Sequence, residues 1–425
     1  MYKSSPMSGE REKAFLVTVT QHGKEELDLN GRVEEFSTLA SSCGAIIAGS
    51  EVCRVRQIKS DLFIGSGKAE EIAVKVAELK ADSVIFNNDL SPSQQKNLSE
   101  VFGVKTIDRT QLILDVFARR ATSLEGKVQV ELAQLMYLLP RLSRLWLHFS
   151  KQAGGIGTKG PGEQQLEEDR RKVRERISRL KKELLEITKQ RELRRVQRER
   201  FSMLTAALVG YTNSGKSTLF NAVTSANVKT KDQLFSTLDP TVRKKHLPNN
   251  QIVLLSDTVG FLNDLPHHLI ESFKATLEEV VDADILFHVV DMSDERITEK
   301  AEAVMQVLND LSVSGKPIFT ILNKADIVEE GPQKERIKNK FRDSVIISAL
   351  KKEGLSAIDD ILMRYMQKDM EDMEILLPPK HYAKAAIIRD RGDVRVEEYR
   401  EDGLYIKARV PKKVKNQIFK MLDRN

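Results

Sequence analysis

The stretch AALVGYTNSGKSTL, Ala206 to Leu219, limits the possible fold more than any other part of the chain. A strand-like apolar run, Ala206–Val209, enters a loop with Gly210 and Gly215, then Lys216, Ser217 and Thr218; a helical pattern follows from Leu219 to Val223. A loop of that spacing between strand and helix is a phosphate cradle. Its glycines let backbone N–H groups converge on an anion, its lysine places a point charge on β/γ oxygens, and its serine hydroxyl ligates Mg2+. Gly210, Tyr211, Thr212, Asn213, Ser214, Gly215, Lys216, Ser217 and Thr218 are therefore the candidate phosphate-binding residues. The expected fold class is α/β, a doubly wound P-loop sheet whose ligand lies at the carboxyl ends of its strands.

Two more strand ends carry polar motifs. Buried-type runs at Ile252–Leu255, Ile285–Val290, Ile318–Leu322 and Val345–Ile347 alternate with helical patterns at Leu269–Val281 and Ile297–Leu311. NKAD, Asn323 to Asp326, follows one run and decides between purines. The Asp326 carboxylate can accept from guanine N1–H and the 2-amino group, whereas adenine would leave that acceptor unpaired. Asn323 is expected on the purine edge and Lys324 along the base, with Ser348, Ala349 and Leu350 closing the base pocket. DTVG, Asp257, Thr258, Val259 and Gly260, follows another run: Asp257 is expected to hold Mg2+ and the Gly260 N–H to sense the γ-phosphate. Upstream, Phe235–Pro240 is the candidate first switch, with Thr237, or alternatively Thr241, adding a second hydroxyl to Mg2+. The metal set is thus Ser217, Thr237 and Asp257, and the residues expected to act on GTP are Lys216, Thr237 and Gly260. Where many GTPases orient the attacking water with a glutamine after this motif, Phe261 has no hydrogen-bonding group, so unaided hydrolysis to GDP should be slow.

The rest of the chain divides by pattern. Residues 1–115 read as an N-terminal α/β domain, with strands at Phe15–Val19, Ala45–Ile47, Ser83–Phe86 and Val104–Ile107. Its helices begin near Ala69 and at Pro92, the latter capped by Ser91. Residues 116–202 carry two apolar seams: Val128, Leu132, Leu135, Leu139, Leu142 and Leu145, then Val173, Ile177, Leu180, Leu184 and Ile187. Neither can be buried by its own helix, so they are expected to form an antiparallel hairpin, with Pro140 kinking the first helix and Gly154–Glu163 a non-helical tip. Residues 203–370 form the nucleotide-binding domain. An acidic linker, Lys368–Glu374, and Pro378–Pro379 lead to a small α+β domain over 371–425, with alternating runs Ala385–Ile388, Val394–Tyr399 and Leu404–Val410 and a closing helix.

Charge points to a polyanion. The 425-residue chain has a net charge of +6, yet Asp169–Arg200 alone holds fourteen basic and six acidic residues, a local +8. That stripe suits RNA, and equally a solvated helix face or a coiled-coil arm for a protein. No apolar run approaches the roughly 18 residues that cross a bilayer, and Met1–Gly9 is polar, so a cytoplasmic monomer without a membrane span is expected. Cys43 and Cys53 are too few for a disulfide framework and read as reduced and structural. GSGK, Gly65–Lys68, lacks the rest of a P-loop and reads as a turn, with a weak adenine-nucleotide site the minority alternative. His267 and His268 lack metal-ligand spacing, and Trp146 suits core packing.

In order, GYTNSGKST, DTVG and NKAD, preceded by GGIGTKGPGEQQLEEDRR at Gly154–Arg171, resemble the HflX family of translation-factor-related GTPases. FIGSGKAEEI from Phe63, FNNDLSPSQQKNL from Phe86 and DRTQLILDVFARRA from Asp108 extend the resemblance over roughly residues 15–370; Ser214 stands where the family commonly has alanine. The resemblance implies binding to ribosomal RNA of the large ribosomal subunit, dissociation of stalled or idle ribosomes under stress, and ribosome-stimulated hydrolysis. A ribosome-assembly GTPase and a nucleotide-switched protein-interaction module remain the alternatives. Gly154, Gly155, Gly157, Lys159, Gly160, Gly162, Arg170, Arg171 and Lys172 are the candidate RNA contacts.

Overall fold

The computed structural model describes residues 11–21, 29–142, 161–200, 203–224, 235, 237–249, 251–263, 274–311, 313, 315–341, 343–368 and 370–422. By internal contacts the chain divides into two compact units, one built mainly on Met1–Ile187 and the other mainly on the chain from Thr188 onward.

In the first unit, strands β1 (Lys13–Gln21), β2 (Ile46–Val55), β3 (Ser83–Phe86) and β4 (Lys105–Ile107) form a parallel sheet in the order β2-β1-β3-β4. Ala14 to Val19 are all buried, as a strand covered on both faces requires. Helix α1 (Leu29–Ser42), not expected from the sequence, buries only Phe36, Leu39 and Ala40, so its periodic signal is short. Helix α2 (Ser66–Glu78) starts three residues before the expected Ala69. Helix α3 (Pro92–Phe102) begins as expected: Ser91 accepts from the Gln94 N–H, and the Gln94 side chain reaches back to the Ser91 N–H.

Helices α4 (Arg109–Arg120) and α5 (Leu124–Leu138) share one buried carboxylate. Asp108 caps α4 through the Gln111 N–H at 2.8 Å. It also accepts from the Tyr137 hydroxyl at 2.8 Å and Arg141 Nη2 at 3.0 Å. Burial pushes its carboxyl above the ordinary range, and those donors oppose the shift. Helix α5 ends at Leu138, so Pro140 lies beyond it and does not kink it; a ring without an N–H stops the helix instead.

Helix α6 (Pro161–Arg200) starts earlier than expected, so Pro161, Gly162 and Glu163 are helical rather than part of a non-helical tip; proline is well suited to a first turn. Val128 and Leu132 of α5 pack on Leu180 of α6, flanked by Leu135, Ile177 and Leu184. Arg176 clamps Glu131 with two bonds of 2.8 Å. Leu145, Trp146 and Gly154–Gly160 lie outside the described residues.

In the second unit, β5 (Leu204–Val209), β7 (Ile252–Asp257), β8 (Ile285–Asp291), β9 (Ile318–Asn323) and β10 (Val345–Ile346) run parallel, and β6 (Thr241–His246) is the antiparallel edge. The order is β10-β9-β8-β5-β7-β6. Helices α7 (Lys216–Thr224), α8 (Lys274–Asp282), α9 (Ile297–Asp310), α10 (Pro332–Lys340) and α11 (Ser356–Lys368) follow the strands. Leu208, Phe220, Leu255, Phe287 and Ile321 belong to one buried cluster.

A three-stranded antiparallel sheet ends the chain: β11 (Met370–Leu377), β12 (Asp393–Arg400) and β13 (Gly403–Pro411), in the order β11-β13-β12. Here the sequence reading needs two corrections. The acidic stretch expected as a linker is strand β11, whose Met373, Ile375 and Leu377 are buried while Asp372 and Glu374 face outward. The run at Ala385–Ile388 is helical (α12, Ala385–Arg391), because its buried residues, Ala385 and Ile388, are three apart. Helix α13 (Lys412–Leu422) closes the sheet through Val414 and Ile418.

Replacing Asp108 by alanine strips Tyr137 and Arg141 of their shared buried partner. We expect a loss of about 3–5 kcal/mol, read as faster hydrogen exchange across α4 and α5, and a smaller loss for Asp108→Asn, which keeps an acceptor.

Candidate nucleotide site

The site lies within the second unit, at the carboxyl ends of β5, β7, β8 and β9. Lys216 opens α7 and is only 5% exposed. It donates to the carbonyls of Gly210 at 3.0 Å and Tyr211 at 2.8 Å. Burial depresses its pKa to about 8, and the Asp257 charge opposes the shift. Two of its three donors are thus used within the loop.

Close backbone approach explains two glycines. At Gly215 (φ +89°) a Cβ would lie 2.2 Å from Asn323 Nδ2. At Gly260 it would lie 2.9 Å from Thr212 Cα and 3.1 Å from Lys216 Nζ.

The expected metal residues come together. Ser217 Oγ and Thr237 Oγ1 are 2.7 Å apart, and Thr237 donates to Asp257 Oδ2 at 3.0 Å. Thr241 sits on β6 as the register partner of Asp257, so among the two candidate threonines Thr237 supplies the hydroxyl beside Ser217. Asp257 is fully buried, and burial raises its carboxyl pKa. Its Oδ1 has no hydrogen-bond partner among the described residues. Two hydroxyls and a carboxylate with an unused buried oxygen form a hard-oxygen set of the kind Mg2+ takes. Thr258 anchors this loop by donating to the Leu208 carbonyl at 2.5 Å, and Val259 is buried.

On the base side, Asn323 joins two loops. Its amide donates to the Ser214 carbonyl at 2.9 Å and accepts from the Ala349 N–H at 3.0 Å, so it braces the phosphate loop against the base loop and keeps a second amide hydrogen for a purine edge. Asp326 Oδ1 accepts from Ser348 Oγ at 2.5 Å, which fixes the carboxylate at the base loop. Leu350 is 75% exposed. Lys324 (φ +63°) places its ammonium 2.6 Å from Asp291 Oδ2. The sequence reading missed Asp291, although, like Asp257 and Asn323, it is a polar residue ending an apolar strand.

Tyr211, Thr212 and Ser214 are buried and Asn213 is exposed with φ +62°. Of the candidate RNA contacts, Gly154, Gly155, Gly157, Lys159 and Gly160 lie outside the described residues, as do His267 and His268. Gly162, Arg170, Arg171 and Lys172 fall on α6, where Arg171 pairs with Glu175 at 3.7 Å and Lys172 with Glu168 at 3.0 Å. In the first unit, Lys68 of GSGK lies 2.8 Å from Glu51 and 2.9 Å from Glu71, so its charge is already neutralised at the start of α2.

A phosphate loop, a hydroxyl and carboxylate set, and a base loop ending in a fixed carboxylate meet at one edge of a parallel sheet, and these parts define the class: the chain is a P-loop GTPase. Residues 205–324 match the family model described as "50S ribosome-binding GTPase". Residues 30–118 match "GTP-binding GTPase N-terminal", and residues 120–198 match "GTP-binding GTPase Middle Region". The GTPase HflX of Caldanaerobacter subterraneus subsp. tengcongensis is 42% identical over 97% of this chain and 94% of its own length. That of Escherichia coli K12 is 41% identical over 89% of both chains. The chain belongs to the HflX family. A crystal structure of a GTP-binding protein from Sulfolobus solfataricus with GDP aligns over 84% of this chain and 99% of that one, at 24% identity and a TM-score of 0.44.

Asp326→Asn replaces the guanine-reading acceptor with a donor. GTP affinity should fall by about two orders of magnitude or more, and xanthosine triphosphate, which carries an oxygen where guanine has the 2-amino group, should bind better than GTP. Competition against a fluorescent GDP analogue measures both.

Proposed function

We propose that this GTPase binds the large ribosomal subunit and couples GTP turnover to the dissociation of stalled or idle ribosomes under stress. The observation that carries the reading is the basic helix α6, joined to the hairpin partner α5 and continuous in sequence with the GTPase domain. Its fourteen basic residues between Asp169 and Arg200 provide the electrostatic footprint for ribosomal RNA, and its N-terminal turn follows the glycine-rich segment Gly154–Gly160. The matched model description and the near full-length relatives support the same partner.

In this reading Ser217, Thr237 and Asp257 would hold Mg2+, which when bound would supply neutralising charge to the β- and γ-phosphates. Lys216 binds those oxygens, and the Gly260 N–H meets the γ-phosphate. Asp326 reads guanine. Phe261 is buried, and its side chain offers the water no hydrogen bond, so the ribosome supplies or orders the missing group. The protein acts as a cytoplasmic monomer with the four-part division at residues 115, 202 and 370. A hairpin that grips a protein is the second reading, favoured by Leu185 and Leu193, 61% and 68% exposed on α6.

The test is steady-state GTPase activity with and without large ribosomal subunits. Stimulation of about tenfold or more, lost in Lys216→Ala and steeply weakened by salt, is the expected result. Unstimulated turnover with basal hydrolysis intact would remove the ribosome as activator.

A further inference from the structure

One residue of the phosphate loop is involved in more than phosphate binding. Tyr211 is 5% exposed and joins the loop to Gly260–Asn263, the start of the second switch that follows Asp257. Its backbone forms a parallel bridge with Phe261. The Thr212 N–H donates to the Phe261 carbonyl at 2.7 Å, and the Phe261 N–H to the Gly210 carbonyl at 3.1 Å. The Tyr211 side chain extends this seam. Its phenol oxygen accepts from the Asn263 N–H at 2.9 Å, and Asn263 Nδ2 donates to Glu299 Oε1 of α9 at 3.2 Å. On the same helix Lys300, held by Asp294, places its ammonium 5.1 Å from the centre of the Tyr211 ring.

We propose that Tyr211, Asn263 and Glu299 form a latch that positions the second switch for hydrolysis, with the Tyr211 hydroxyl as its central positioning residue. The inference rests on the GTPase reading. Phe261 sits where other GTPases aim a glutamine at water, and it cannot do this. The backbone of Gly260–Asn263 must then be placed accurately by something else, and a misplacement of an ångström at such a position is costly to rate. The seam supplies two main-chain bonds at one end, and the phenol supplies one two residues further on. Glu299 ties the same segment to α9. Because Asn263 donates through its main chain, no replacement of Asn263 other than proline removes the bond to Tyr211; only the tyrosine hydroxyl can be deleted cleanly.

The test uses the full chain. Single-turnover GTP hydrolysis without ribosomes and GDP affinity are measured for wild type, Tyr211→Phe, Glu299→Ala, Glu299→Gln and the double variant Tyr211→Phe/Glu299→Ala. We expect Tyr211→Phe and Glu299→Ala each to slow hydrolysis roughly three- to tenfold, the worth of one hydrogen bond, with GDP affinity unchanged. Glu299→Gln, which still offers an acceptor, should restore the rate, and the double variant should be no slower than the slower single variant. Wild-type rates in Tyr211→Phe, multiplicative losses in the double variant, or equal losses of GDP affinity and rate would each overturn the latch. Absence of hydrolysis in the wild type, both alone and with large ribosomal subunits, would instead overturn the GTPase reading beneath it.

Discussion

The nucleotide site depends on holding Lys216 almost fully out of water. An isolated buried cation is expensive, and burial has already brought this lysine's pKa to about 8. Its surroundings are arranged to tolerate the charge. The Gly210 and Tyr211 carbonyls accept from it, Asp257 opposes the loss of its proton, and glycine at 260 leaves it room, since a Cβ there would lie 3.1 Å from Nζ and 2.9 Å from Thr212 Cα. Phosphate oxygens would supply the acceptor its third donor needs, and the same fully charged pair would become far stronger in a dry site. The cost of keeping the lysine buried is thereby converted into affinity for an anion.

The sheet makes this arrangement possible. Parallel strands β5, β7, β8 and β9 all end at one edge, so the phosphate loop, Asp257, Asp291 and Asn323 arrive together although they are far apart in sequence. Asn323 then stops the edge from spreading. One buried amide joins the phosphate loop at Ser214 to the base loop at Ala349, so the part that reads the base and the part that holds phosphate cannot move independently. A mutation at Asn323 would therefore act through geometry at both ends, whatever contact it makes with a purine.

Much of the site was legible in the sequence because each motif is local. Glycine spacing, a lysine followed by a hydroxyl, and polar residues ending apolar runs can be read without knowing the tertiary fold. What was missed depends on distance or on one-sided burial. Strand β6, TVRKKH, offers little apolar alternation and is recognisable mainly by its pairing with β7. Strand β11 looked like an acidic linker because its acids form the outer face of a half-buried strand. Helix α1 shows only three buried residues, and the first turn of α6 contains a proline and a glycine that read as breakers out of context. The Tyr211 to Asn263 contact spans 52 positions and leaves no local trace.

The central claim is that this carboxyl edge binds guanine nucleotides through Lys216 at one end and Asp326 at the other. Calorimetric titration of the full chain with GTP and with ATP, each with Mg2+, tests it most directly. The account requires GTP to bind at least about a thousandfold more tightly than ATP, because adenine leaves the Asp326 carboxylate unpaired. Comparable affinities for the two nucleotides would contradict it, and would mean that the base loop does not read the purine.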